Sequence, residues 1–339
     1  MSFALTLNRR GLGLSLGALA LDGCAINPER PVMLNFANQD QVPPDDGERR
    51  LETGADSSRR MTAPVRINGL GPFVFVVDTG ANRTVLATEL AAELGLPSAG
   101  ATAVHGVSGV ETAALATIHR LDVSALTARG LQAPTLPRHW IGADGLLGVD
   151  VLKTHRVVMD FVRNQLRVGA DRATPVERSA FDMRRQGTGV AALDLGRRIV
   201  VPARYRFGQL IIVGADVAGR RVTALLDSGS QSTVGNSVLR RMVYRNEGFP
   251  NPVLVRVPIL SATGQTSEGE LGVMPVLKIG GLTITNLSAA FADLHVFDVW
   301  NLTTQPSLLL GMDVMRKFSA IELNYPRQEV AFYLRGGAE

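Results

Sequence analysis

A single cysteine, Cys24, in 339 residues rules out any disulfide within the chain. An oxidising compartment would be tolerated but not exploited, and the fold must rest on packing and hydrogen bonds. The sequence has no phosphate-binding Gly-Lys-Ser or Gly-Lys-Thr loop. Its five histidines (His105, His119, His139, His155 and His295) show no paired metal-ligand spacing. No metal, other cofactor or nucleic-acid partner is therefore expected. Amphipathic helical patterns are few and short, and the apolar run from Gly11 to Leu21 is too short to cross a bilayer as a mature helix. What is abundant is Val, Leu and Thr in short runs, with Gly at the turns between them. That composition predicts an all-β protein with a few short helices, in a chain long enough for two domains with separate cores.

One acidic motif occurs twice, each time at the end of an apolar run. Phe73-Val74-Phe75-Val76-Val77 leads into Asp78-Thr79-Gly80, and Val222-Thr223-Ala224-Leu225-Leu226 leads into Asp227-Ser228-Gly229. Each run reads as a buried strand, and each Asp-x-Gly as a tight turn that presents a carboxylate at the strand's end. The repetition extends further. Short helices are predicted over Thr88–Leu94 and Asn236–Tyr244. Leu146-Leu147-Gly148-Val149-Asp150 is matched by Leu309-Leu310-Gly311-Met312-Asp313, and a pair of strand-like runs follows each. A duplicated order of elements implies two similar lobes and two carboxylates brought together between them.

On these residues the chain resembles the aspartic proteases, in particular the bacterial retropepsin-like members. The resemblance covers roughly residues 60 to 335, and both lobes lie in one chain, as in the pepsins. It implies a two-lobed all-β fold with internal pseudo-twofold symmetry that works as a monomer. It implies Asp78 and Asp227 as the catalytic pair. Thr79, Gly80, Ser228 and Gly229 would shape the loops, and Thr84 and Thr233 would support them. Hairpins around His105–Gly109 and Ala262–Glu268 are the flap candidates, with His105, Gly106, Ser108, Gly109, Thr263 and Gly264 at their tips. No pepsin-type flap tyrosine is evident in the first lobe. Lobe one is expected over residues 61–170 and lobe two over residues 209–339. Between them, residues 171–208 form a basic connector in which Ile199–Pro202 and the neighbouring Leu210–Val213 look like strands for an interlobe sheet.

The first 23 residues read as a signal segment rather than part of the fold: Arg9-Arg10 precede the short apolar run. Leu21-Asp22-Gly23-Cys24 resembles a bacterial lipoprotein processing site, which would lipidate Cys24; plain secretion through a signal peptide is the competing reading. Residues 24–60, rich in Pro, Asp, Glu and Arg, read as a flexible tether. The expected location is the periplasm, with or without a membrane anchor.

Two carboxylates this close cannot both ionise cheaply, so a pair sharing one proton can activate water with one member and polarise a peptide carbonyl with the other. The expected substrate is an extended segment of an envelope or periplasmic protein, bound in the cleft by strand-like hydrogen bonds. An actin- or hexokinase-type phosphotransferase also carries duplicated Asp-x-Gly loops, and a peptide-binding module could keep the protease fold without turnover. Two finer expectations follow. Asp150 and Asp313, at the start of short helices, should stabilise helix N-termini. Ser230, which has Ala81 as its first-lobe counterpart, should donate its hydroxyl to Asp227 and make that residue the more readily ionised partner.

Overall fold

The computed structural model describes residues 3–4, 49–56, 59–124, 126–169, 193–194, 198–206, 208–212, 214–245 and 255–335. In the first lobe the strand Leu70–Val77 runs antiparallel to Met61–Ile67, and its last three residues, Phe75, Val76 and Val77, are fully buried. The short strand Gly145–Leu147 lies parallel to Phe75–Val77 on one side and antiparallel to Val85–Leu86 on the other. The second lobe repeats this arrangement. Ser307–Leu310 lies parallel to Thr223–Leu226 and antiparallel to Val234–Gly235. The last three residues of the two strands that lead to the aspartates, Phe75–Val77 and Ala224–Leu226, are buried on both faces, which is why these segments are continuously apolar rather than alternating.

Each lobe then sends out a long hairpin. Ser98–His105 pairs with Val110–Val123 in the first lobe, and Val255–Ser261 pairs with Thr266–Ile279 in the second. The helices are short, the longest described being Ser237–Tyr244, and Asn236 caps it by accepting from Leu239 N at 2.9 Å. Among the described residues no helix is long and apolar enough to cross a membrane.

A third group of strands joins the lobes. Arg156–Asp160 of the first lobe pairs antiparallel with Ala320–Asn324 of the second, with Val158 opposite Glu322 at the centre. Gln165–Gly169 and Arg49–Glu52 extend the sheet on one side, and Glu329–Tyr333, Arg198–Arg206 and Leu193–Asp194 on the other. The expected tether is thus corrected at its end. Residues 49–52 are a strand of the interlobe sheet, and Gly54–Ala55 pairs with Met61–Thr62. In the connector the expected strand Ile199–Pro202 lies within Arg198–Arg206 of this sheet, and Gln209–Ile212 pairs both with it and with the strand that leads to Asp227. Phe3–Ala4 pairs with Leu260–Ser261, so part of the expected signal segment also lies against the fold. Cys24 and most of residues 1–48 lie outside the described residues.

Candidate active site

Both Asp-x-Gly turns are fixed from behind. The Asp78 amide donates to Leu147 O at 3.0 Å, and the Asp227 amide to Leu310 O at 2.9 Å. The apolar-apolar-Gly strands therefore set where each aspartate leaves the sheet. Each carboxylate folds over its own loop. Asp78 Oδ1 accepts from the amides of Gly80 (2.9 Å) and Ala81 (3.0 Å), and Asp227 Oδ1 accepts from Gly229 at 2.9 Å. The carboxylates also press on the opposite loop. A Cβ on Gly80 would stand 2.5 Å from Asp227 Oδ1, and one on Gly229 would stand 2.6 Å from the Asp78 carboxyl. Only a residue without a side chain allows this approach.

The two loops are cross-stitched. The Thr79 amide donates to Ser228 Oγ and the Ser228 amide to Thr79 Oγ1, both at 3.0 Å. Thr79 Oγ1 donates to Leu226 O (2.9 Å), and Ser228 Oγ to Val77 O (2.7 Å). Four buried hydrogen bonds, related in pairs by the pseudo-twofold, thus hold one loop against the other.

A second tier supports them. Thr84 Oγ1 donates to Asp150 Oδ1 (2.8 Å) and accepts from the Gly148 amide (3.1 Å). Thr233 Oγ1 does the same with Asp313 (2.9 Å) and Gly311 (3.2 Å). Asp150 and Asp313 do accept helix N-terminal amides, from Val151 and Val314. Their further role, which the sequence reading missed, is to tie each helix to the threonine of the aspartate loop. Gln209 was missed as well. Its Nε2 donates to Gly80 O (3.0 Å) and Asn82 Oδ1 (2.6 Å), so a second-lobe strand braces the first-lobe loop.

Asp78 and Asp227 are both buried. Burial pushes the Asp227 carboxyl well above its ordinary range, and the neighbouring Asp78 charge pushes it the same way; the Gly229 and Ser230 amides oppose them only in part. The expected asymmetry through Ser230 is not present. Its hydroxyl donates to Ser232 O at 2.8 Å, so it does not single out Asp227 as the ionised partner. The titration belongs to the pair.

The two hairpin tips meet. The Val107 amide donates to Ser261 Oγ (3.2 Å), and Gln265 Nε2 donates to Val110 O (3.1 Å). Gly106 abuts Thr263, Gly109 faces Gln265, and Gly264 turns with φ +81° over Trp140. Ser108 is half-buried in the same tip. His105, at the base of the first tip, meets His295 of the second lobe with Nδ1···Nε2 at 3.0 Å. The rings are only 9° from parallel, with centroids 5.3 Å apart. That separation is the nitrogen–nitrogen distance plus roughly one ring radius at each end, so the rings lie edge to edge in one plane and share an N–H···N bond. The histidines are 190 positions apart, and no sequence spacing could have paired them.

Two β-lobes related by duplication, with a buried carboxylate pair on cross-stitched loops between them, define an acid–acid hydrolase architecture. The aspartyl protease family model matches residues 63–151 and again residues 213–314, together more than half of the chain. The chain belongs to the aspartyl protease family and is a hydrolase. No curated protein matches its sequence.

Proposed function

We propose that the protein is an aspartic endopeptidase in which Asp78 and Asp227 share one proton and activate a water against the scissile carbonyl of an extended peptide. The observation that carries this reading is the mutual approach of the two buried carboxyls, each packed against the other loop's glycine. At such closeness one carboxyl keeps its proton and the other acts as base, so a single pair supplies both the acid and the base. Water is the nucleophile, which is why no Ser, Cys or His is needed in the cleft. One chain supplies both halves, so a monomer suffices. A phosphotransferase of the actin or hexokinase type is set aside by the family match and by the shortness of the described helices. The non-catalytic module differs from the protease only in turnover.

The test is cleavage of a mixed peptide library by the purified protein. Asp78→Asn and Asp227→Asn should each abolish it while leaving the fold intact, because the two groups act as a unit. A single mutant that keeps near-normal turnover as a monomer overturns the shared pair.

We further propose that the enzyme acts on envelope or periplasmic proteins. The support is the arginine-led apolar segment before Cys24 and the Pro- and charge-rich stretch that follows it. If Cys24 is a lipid anchor, Cys24→Ser moves the protein from the membrane to the soluble fraction. Unchanged fractionation leaves ordinary secretion.

A further inference from the structure

The strands that lead to the two aspartates each have an antiparallel partner, and the partners differ at one telling position. Ile211 stands opposite Leu225 as Thr62 stands opposite Val76, and Leu225 and Val76 each lie two residues before their aspartate. Two residues further back along the partner chains come Gln209 and Arg60, so the duplication makes them counterparts. Both are about 2 % exposed. Arg60 holds partners in its own lobe: Nε and Nη2 each meet Asp56 Oδ2 at 2.6 Å, and Nη2 donates to Ile141 O at 2.6 Å.

Gln209 reaches across to the other lobe. Its Nε2 donates to Gly80 O at 3.0 Å and to Asn82 Oδ1 at 2.6 Å. Gly208 makes room for this contact: it turns with φ +81°, and a Cβ there would collide with the Asn82 carboxamide. A backbone carbonyl can only accept, so the N–H end of the Gln209 carboxamide must be the one that faces Gly80 O. That carbonyl belongs to the same peptide unit as the Ala81 N–H, which donates to Asp78 Oδ1 at 3.0 Å. Gln209 Nε2, the Gly80–Ala81 peptide and the Asp78 carboxyl thus form one chain of hydrogen bonds, every donor pointing toward Asp78. A hydrogen bond received at a carbonyl polarises the peptide and makes its N–H a stronger donor. A stronger donor to a carboxylate favours the charged form.

We infer that Gln209 is a positioning residue that biases the shared proton, so that Asp78 is the more often ionised member of the pair and Asp227 the more often protonated one. This rests on the protease reading and deepens it. The attacking water gives its proton to Asp78, and Asp227 gives its proton to the oxygen of the scissile carbonyl as the water oxygen bonds to carbon. Burial and the Asp78 charge raise the Asp227 carboxyl, which acts in the same direction. Strengthening one charge-assisted hydrogen bond by about 10–30 % moves a carboxyl by a few tenths of a pKa unit, so the pair still shares its proton and only the balance shifts.

The experiment is carbon NMR titration of the full-length protein labelled at its Asp carboxyl carbons. Asp227→Asn leaves Asp78 as the lone carboxyl of the pair, and Asp78→Asn leaves Asp227. Asp78 should titrate at the lower pH of the two. This comparison needs no change at Gln209, so an unfolded Gln209 variant does not remove the test. Gln209→Met keeps the side chain's length and removes the donor. It should raise the Asp78 midpoint by about 0.3 unit in the first background and move the Asp227 midpoint by less in the second. With a peptide substrate, the acid limb of kcat/KM should move to higher pH in Gln209→Met. A side chain that merely stiffened the loop would lower the plateau and leave the limb in place. Asp227 titrating at or below the pH of Asp78, or an Asp78 midpoint that Gln209→Met leaves within about 0.1 unit, overturns the assignment while leaving the protease reading in place. No cleavage of any peptide by the wild type overturns the protease reading instead.

Discussion

Replacing Glu322 by Gln should loosen the junction between the lobes, and the loss should fade in acid. Glu322 lies at the centre of the interlobe sheet, about 3 % exposed. Arg156 Nε reaches its Oε1 at 3.0 Å and Arg156 Nη2 its Oε2 at 3.1 Å. Arg198 Nη2 reaches Oε1 at 3.0 Å, and Tyr333 donates its phenol to Oε2 at 2.8 Å. These partners come from a first-lobe hairpin, the connector and the last strand, so one carboxylate gathers three segments. Breaking a buried ion pair from one side costs about 3–5 kcal/mol, and Gln keeps the shape and one acceptor, so about 3 kcal/mol is expected near neutral pH. Burial alone would raise the Glu322 carboxyl, but the charges of Arg156 and Arg198, with the hydrogen bonds from Arg156 and Tyr333, outweigh it and hold it below the ordinary value of 4.5. A carboxyl depressed in the native state contributes its full stabilisation above its unfolded pKa and loses it as pH falls through the folded one. The gap between wild type and Glu322→Gln, measured as apparent thermal midpoint from pH 7 down to pH 3, should therefore narrow below about 4.5. A gap that stays constant into acid, or a variant as stable as wild type at pH 7, refutes the reasoning.

Ser228→Ala removes the acceptor for the Thr79 amide and the donor to Val77 O, both buried; it should cost about 2–4 kcal/mol in thermal or urea unfolding and lower kcat more than it raises KM. Gly229→Ala places a methyl 2.6 Å from the Asp78 carboxyl, and peptide turnover should fall about 100-fold or more, since displacing a reacting group by about 1 Å is enough for that. Asp313 is pushed up to about 6 by burial, against the opposing hydrogen bonds from Thr233 and Val314. A carboxyl raised in the native state costs stability as pH rises from about 4 to about 6, here by about 3 kcal/mol, so Asp313→Asn should flatten the unfolding profile across that window.

The apolar runs that end in Asp78 and Asp227 were legible because their last three residues, Phe75–Val77 and Ala224–Leu226, are buried on both faces and leave no polar position there. The Leu-Leu-Gly segments were legible because Gly148 and Gly311 have no room for a Cβ: one would stand 2.4 Å from the Arg83 carbonyl carbon or 2.6 Å from that of Ser232. Local constraints of this kind leave a local trace. Arg49–Glu52 was read as tether because a short edge strand rich in Arg and Glu has the composition of a linker; its partner Gln165–Gly169 lies more than a hundred residues away. Gln209, the His105–His295 bond and the burial of Val107 are long-range contacts of the same kind. Each joins residues from different lobes, and nothing in the neighbouring sequence requires them. Ser230 misled for a different reason. A hydroxyl beside a carboxylate has a choice of acceptors, and the Ser232 carbonyl, two residues on, is the one it takes.

Duplication has been kept in the floor of this cleft and abandoned in its roof, and the chemistry accounts for the difference. Below the cleft the main supporting bonds correspond: Thr79 with Ser228, Thr84 with Thr233, Asp150 with Asp313, Gly148 with Gly311. A pair that shares one proton works only if neither carboxyl is strongly favoured as its holder, and near-identical surroundings maintain that balance. Above the cleft no such constraint acts, because a peptide chain is directional and presents different side chains to the two lobes. There the first lobe contributes Val107 and His105, and the second answers with the helix that begins at His295. On the proposed reading, a symmetric floor under an asymmetric roof leaves the reaction to the aspartate pair and the choice of substrate to the roof.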